Sequence, residues 1–196
     1  MTGILVERLG PARTRLVAER IAEAFLALDA PRWLVPDAGR RESVLAGQFE
    51  IIVDHGMRHG LVFGTVGLTG VAVWLPSIEE DPAPPPRDYD ARLAAACGEW
   101  TDRFAHLDEL FAANHPHPDH HHLAFLAVQP DRQGQGVGSA LLRHHHAWLD
   151  ANRMPGYLEA ASRIGVRLYG QHGYQAREPF RLPDGTPFWP MWREPH

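Results

Sequence analysis

Gly134, Gly136 and Gly138 follow a short apolar run and precede an amphipathic one, an order that suits the binding of a pyrophosphate. A helix start leaves its first backbone N–H groups without intrahelical partners and carries partial positive charge from the helix dipole, so anions settle there. Glycine places no side chain between that backbone and a phosphate and tolerates positive φ, which lets successive N–H groups converge on one anion. The dinucleotide pattern G-x-G-x-x-G fits only if its last position is relaxed to Ser139. The Walker pattern fails because the sequence contains no Lys.

Other residues capable of chemistry crowd just upstream. Residues 114–122 hold five histidines with Asp119, and His144, His145 and His146 follow further on. Imidazole and carboxylate groups are sound ligands for zinc or nickel, but the spacing matches no defined zinc pattern. Three consecutive helical residues also point in different directions, so no metal is expected.

The elements that must position these residues can be read from apolar periodicity. His122–Val128 reads as a strand, and Leu141, Leu142 and Trp148 give the following helix its apolar side. Earlier in the chain a short strand is expected within residues 4–9, a helix over 13–28 and a second from Arg40 to about His59. A hairpin over residues 60–75 follows, then a proline-rich connector from Pro76 to Pro86. Helix is expected again from Tyr89 to about Asn114, divided near Gly98. A fifth strand at 156–161, a helix near 164–172 and two closing strands between Tyr174 and Arg193 complete the chain.

With 196 residues, 44% of them hydrophobic, the chain can bury one substantial core, and a single domain over 1–196 is expected. A net charge of −5 argues against nucleic-acid or anionic-membrane surfaces and mildly favours cationic substrates. Cys97 is the only cysteine, which rules out an internal disulfide. No apolar run is long enough to span a bilayer and no signal-like segment opens the chain, so a cytoplasmic protein is expected.

Gln133, Gly136 and Gly138 resemble the Q/R-x-x-G-x-G/A acetyl-CoA motif of the GNAT superfamily of N-acyltransferases. Tyr157–Ser162 and then Leu168, Tyr169, Gly173 and Tyr174 are similar to its fifth strand and Y-x-x-x-G-F/Y ending, in the right order and at the right distance. Within the superfamily the chain looks most like the puromycin N-acetyltransferase group of drug acetyltransferases. That likeness rests on Gly70–Trp74, the long helical insertion before strand four and Leu126–Pro130.

The resemblance implies an α/β GNAT fold: a central mixed, largely antiparallel sheet, splayed between strands four and five and flanked by helices. It implies acetyl-CoA as co-substrate, with its diphosphate on Gln133, Gly134, Gln135, Gly136, Val137, Gly138 and Ser139. The pantetheine arm would pair with the strand-four backbone at Leu126, Ala127 and Val128, with the Leu126 N–H as oxyanion donor. Tyr169 matches the family's general acid.

The base stays open. His122 falls where several relatives, histone acetyltransferases among them, place a catalytic Glu, and Glu159 and His120 are alternatives. Gly165 stands where relatives often carry an Asn, which removes one expected cofactor contact. Ser162 can compensate or can simply cap a helix. The expected activity is acetyl transfer to the amine of a small molecule, an antibiotic or related metabolite among the candidates, by a monomer or homodimer. Acetylation of a protein or peptide amine and a non-catalytic acyl-CoA sensor are the alternatives.

Overall fold

The computed structural model describes residues 3–196. Strand β1 (Val6–Arg8) leads into helix α1 (Thr14–Phe25), the short α2 (Ala30–Leu34) and the long α3 (Ala38–His59). The hairpin β2 (Leu61–Thr65) and β3 (Gly70–Ser77) follows, then α4 (Tyr89–Cys97) and α5 (Thr101–Asn114). Strand β4 (His120–Val128), α6 (Val137–Ala151), β5 (Gly156–Ala160) and α7 (Arg163–Gly170) carry the motif residues. The chain closes with β6 (Gln175–Ala176), β7 (Phe180–Arg181) and β8 (Pro187–Arg193).

One sheet of order β1-β2-β3-β4-β5-β8-β6 forms the centre, with β7 paired to β8. Among the described residues every strand pairing is antiparallel except β4 with β5. Helices α1 and α3 bury Val17, Ile21, Leu45, Phe49 and Val53 against one face. On the other face α6 buries Val137, Leu141, Leu142 and Leu149, and α7 packs Val166, Leu168 and Tyr169 beside them. Each fully buried Leu or Ile contributes about 1.5–3 kcal/mol relative to an exposed one, so the two apolar faces of the sheet hold both layers in place.

Several boundaries differ from those expected of the sequence. The helix expected over 13–28 stops at Phe25, and Pro31 at a first-turn position starts the separate α2. Helix α3 begins two residues early because the Asp37 Oδ1 accepts the Gly39 N–H at 2.8 Å. Gly98 divides α4 from α5 as expected, at φ 53°. Strand β4 begins at His120 rather than His122, since His120 and His121 are buried and pair across to Ser77 and Pro76. Trp148 is 44% exposed; the buried side of α6 takes His145 and His146 instead. Three short strands, not two, close the chain, and Phe188 and Met191 of β8 belong to the core. Trp74, Trp100 and Phe104 are core residues as well.

Two irregularities in β4 set the directions of its side chains. Its ladder with β5 consists of His121 opposite Gly156 and His122 opposite Tyr157, after which the strands part. Its ladder with β3 slips between Val73, opposite Phe125, and Trp74, opposite Leu123, so Ala124 is an extra residue on β4. A bulge of this kind re-aims side chains. Leu123 and Leu126 therefore both face α6 although three residues apart, whereas Ala124 and Phe125 face the α1–α3 layer.

Candidate active site

The glycine turn lies between the end of β4 and the first turn of α6. Gly134 and Gly136 have φ of 74° and 82°, a region open to glycine and strained for other residues. Nothing lies within 4 Å of where a Cβ would stand at either one, so the turn's outer side is open. Side chains staple the turn from within: Gln133 Nε2 donates to Val128 O at 3.1 Å, and Gln135 Nε2 donates to Asp131 O at 2.9 Å. Ala140 N–H bonds back to Gly136 O at 2.9 Å, and the amides of Val137, Gly138 and Ser139 ahead of it occupy the donor-rich start of α6. Ser139 Oγ is 2.9 Å from His172 Nε2, a pairing that sequence spacing gave no hint of.

Beyond His122 the β5-facing edge of β4 meets no strand, so the backbone of Leu126, Ala127 and Val128 borders a gap. Tyr169 edges the same apolar cluster as Leu126 and Val128, with its ring 5.9 Å from that of Tyr174. Burial pushes its phenol pKa upward, so the hydroxyl keeps its proton. Ser162 caps α7 by accepting the Gly165 N–H at 3.1 Å. A Cβ at Gly165 would stand 3.4 Å from both Ser162 Oγ and the Tyr169 ring, so this position is closed in by these two side chains.

On the opposite face, where the two strands begin to part, His122 Nε2 lies 2.7 Å from Glu159 Oε2. Strand alternation explains the meeting: Leu158 and Ala160 turn toward α6, so Tyr157 and Glu159 turn the other way, beside His122. The Glu159 side chain is 4% exposed and that of His122 17%. Burial works to raise the Glu159 pKa, but the adjacent His122 and its hydrogen bond outweigh it and hold the carboxyl below its ordinary value. Glu159 Oε1 is buried without a partner.

Histidines surround this pair. The His115 ring is 5.3 Å from those of His122 and Tyr157, and burial pushes its pKa down to about 4, helped by the neighbouring His122 and His120. His120 is fully buried, 2.7 Å from Pro118 O through Nδ1, with its ring against Tyr157 and Trp192. That burial closes His120 to solvent, whereas the His122 side chain is partly exposed. Among the described residues no group of three His, Cys, Asp or Glu side chains converges as a metal site. No helix there is long and apolar enough to cross a membrane.

Residues 102–176, which include the glycine turn, Tyr169 and the His122–Glu159 pair, match the family model described as the acetyltransferase (GNAT) domain. Among solved structures, the chain is similar to a Corynebacterium glutamicum protein described as histone acetyltransferase HPA2 and related acetyltransferase. The identity is 26% and the TM-score 0.73, over 100% of this chain and 98% of that one. Arylalkylamine N-acetyltransferase 2 of Aedes aegypti is similar at 12% identity and TM-score 0.63, with 100% of each chain covered. PaiA N-acetyltransferase of Thermoplasma acidophilum, solved in complex with coenzyme A, is similar at 12% identity and TM-score 0.59, over 98% of this chain and 99% of that one. The open, mostly antiparallel sheet with its parallel β4–β5 pair is the GNAT fold.

Proposed function

We propose that the protein is an acetyl-CoA-dependent N-acetyltransferase acting on the primary amine of a small molecule, with antibiotics and related metabolites among the candidate acceptors. The observation that carries the reading is the His122–Glu159 pair, 2.7 Å apart and mostly buried, at the point where β4 and β5 separate.

The residues present fit coenzyme A. The open glycine turn and the amides from Gln133 to Ser139 would hold its diphosphate, and the unpaired edge of β4 at Leu126, Ala127 and Val128 would hold the pantetheine arm. When bound, acetyl-CoA supplies an acetyl thioester, whose carbonyl carbon is open to attack by a neutral amine.

The chain's own residues supply the proton transfers. The Glu159 carboxylate accepts the His122 Nε2–H, which fixes the imidazole tautomer and leaves the Nδ1 lone pair as the base. His122 Nδ1 takes a proton from the ammonium form of the acceptor, and the buried carboxylate stabilises the imidazolium that results. The Leu126 N–H, just past the bulge, is the donor for the carbonyl oxygen. Tyr169 Oη, which keeps its proton because burial raises its pKa, donates to the departing sulfur.

A peptide amine is the second reading, favoured by the likeness to the Corynebacterium protein. Against it, Asp108 on α5, a carboxylate that a basic peptide would need at the surface, turns inward and accepts the Tyr89 hydroxyl at 2.6 Å. Amine-dependent release of free thiol from acetyl-CoA tests the proposal. Cofactor binding without thiol release on any amine or peptide would point to the sensor instead.

A further inference from the structure

Strand β4 stands fourth in the sheet order, in the middle of the layer formed by α1 and α3. Over the neighbouring β3 that layer is closed, and Val71 and Val73 are 1% and 0% exposed. Over β4 it is not: Ala124 and Phe125, which face the same layer, are only partly buried. His122, opposite Leu75 on that face, is partly exposed as well. The Phe125 ring meets Phe25, the last residue of α1, at 6.0 Å and Phe49 of α3 at 4.7 Å, edge-on to both. The helix layer therefore parts above the proposed base, beside the end of α1.

The far side of that opening is aromatic. Pro190 stands opposite Glu159 in the β5–β8 ladder, so Phe188, two residues before it on β8, shares the face of Glu159 about 7 Å along the strand. Phe188 stacks on Phe180 of β7 at 5.6 Å and meets Phe111 of α5 edge-on at 5.2 Å. Ala161, just past β5, packs in the same cluster, and Trp33 of α2 joins that cluster to the α1–α3 core. Phe111, Phe180 and Trp33 are each only partly buried, so they present ring surface instead of a sealed core.

Charge around these rings narrows what can lie on them. The Arg103 guanidinium already sits over the Trp33 ring, 5.3 Å from its centroid. The carboxylates on or beside the same elements are engaged or face solvent: Asp108 accepts the Tyr89 hydroxyl, Asp184 accepts the Thr186 N–H at 2.9 Å, and Asp29, Asp102 and Glu109 are exposed. A second ammonium group would thus meet Arg103 and not a carboxylate, and sugar hydroxyls would lose water without gaining partners. We infer that the acceptor is an amine with a hydrophobic aryl or alkyl body, which lies against Phe111, Phe180 and Trp33 while its nitrogen meets His122. The spacing of about 7 Å between the Glu159 and Phe188 positions suits a short carbon linker between nitrogen and ring. The inference rests on the amine acetylation proposed above and names its substrate class.

The test uses the full chain with acetyl-CoA and a panel of phenylethylamine, hexylamine, diaminobutane and glucosamine. Thiol release is expected to give kcat/KM for the two hydrophobic amines about tenfold or more above that for the other two. Phe111→Ala is expected to raise KM for phenylethylamine about tenfold, with kcat and coenzyme A affinity little changed. Phe111→Leu, which keeps an apolar side chain there, is expected to fall between and serves alone if the Ala variant does not fold. Diaminobutane or glucosamine turned over as well as the hydrophobic amines, or a phenylethylamine KM that neither variant raises, overturns the inference while acetyl transfer stands. If no amine releases thiol, calorimetry in saturating coenzyme A separates the two claims. Binding of phenylethylamine but not of diaminobutane then removes the activity and upholds the hydrophobic acceptor site, and any other pattern overturns both.

Discussion

His122 and Glu159, 37 positions apart in sequence, meet at 2.7 Å across the last rungs of the one parallel ladder in the sheet. In the proposed mechanism the two candidate bases have different roles: the carboxylate is too buried to reach a substrate and instead sets the imidazole's tautomer. His122→Ala is expected to lower kcat/KM by about 10²–10⁴-fold, the usual range for a lost general base. Glu159→Gln, whose amide can donate to Nε2 and reverse the tautomer, is expected to lower kcat about tenfold or more with KM little changed. The ¹⁵N chemical shifts of the His122 ring, with Nε2 protonated in the wild type and Nδ1 protonated in Glu159→Gln, check the cause apart from the rate.

Tyr169→Phe separates chemistry from binding. The proposed role is proton donation to the leaving thiolate, so kcat is expected to fall about 10–100-fold while cofactor affinity stays within a factor of two or so. Steady-state kinetics paired with calorimetry on coenzyme A measures both.

Gly136→Val addresses the turn. At φ 82° a β-branched residue costs roughly 1–2 kcal/mol of backbone strain, and its side chain would enter the space proposed for a phosphate. Coenzyme A binding is expected to disappear from calorimetric traces while the protein melts cooperatively at a modestly lower temperature. Retained affinity would remove the turn from the binding site.

Acid should destabilise the fold. His121, His145 and His146 are buried, with pKa values pushed down to about 4, 3 and 3, chiefly by burial. Because these values lie below the ordinary 6.5, the unfolded chain takes up the protons first. The stability they confer is complete above about pH 6.5 and is lost as pH falls toward 4 and 3. One unit below 6.5 the three together would account for roughly 3–4 kcal/mol. Urea unfolding at about pH 7.5 and pH 5.5 measures this, with a lower midpoint expected at the acid end.

The parts of the candidate site that lie close together in sequence can be nominated from it. The glycine turn and Tyr169 each belong to a short motif whose spacing is its own signature, and the splayed GNAT sheet follows from their resemblance. The His122–Glu159 pair is not legible as a pair, because it depends on β4 and β5 lying parallel and in one particular register. The early start of β4 is hidden because consecutive histidines have no polar–apolar alternation, although His120 and His121 are as buried as any apolar residue would be. The Ala124 bulge leaves no mark in the sequence, yet it decides which side chains share a face with His122. The Ser139–His172 contact likewise depends on how α7 packs on α6, and no local pattern encodes that.

The most direct test of acetyl transfer through the His122–Glu159 pair is thiol release from acetyl-CoA with a panel of small primary amines, for wild type and His122→Ala from about pH 6 to pH 9. The account predicts amine-dependent release by the wild type. It also predicts a deficit in His122→Ala that is largest at the acid end, where the ammonium form most needs a base, and that narrows as pH rises. No release with any amine, or parallel pH profiles for the two proteins, would contradict it.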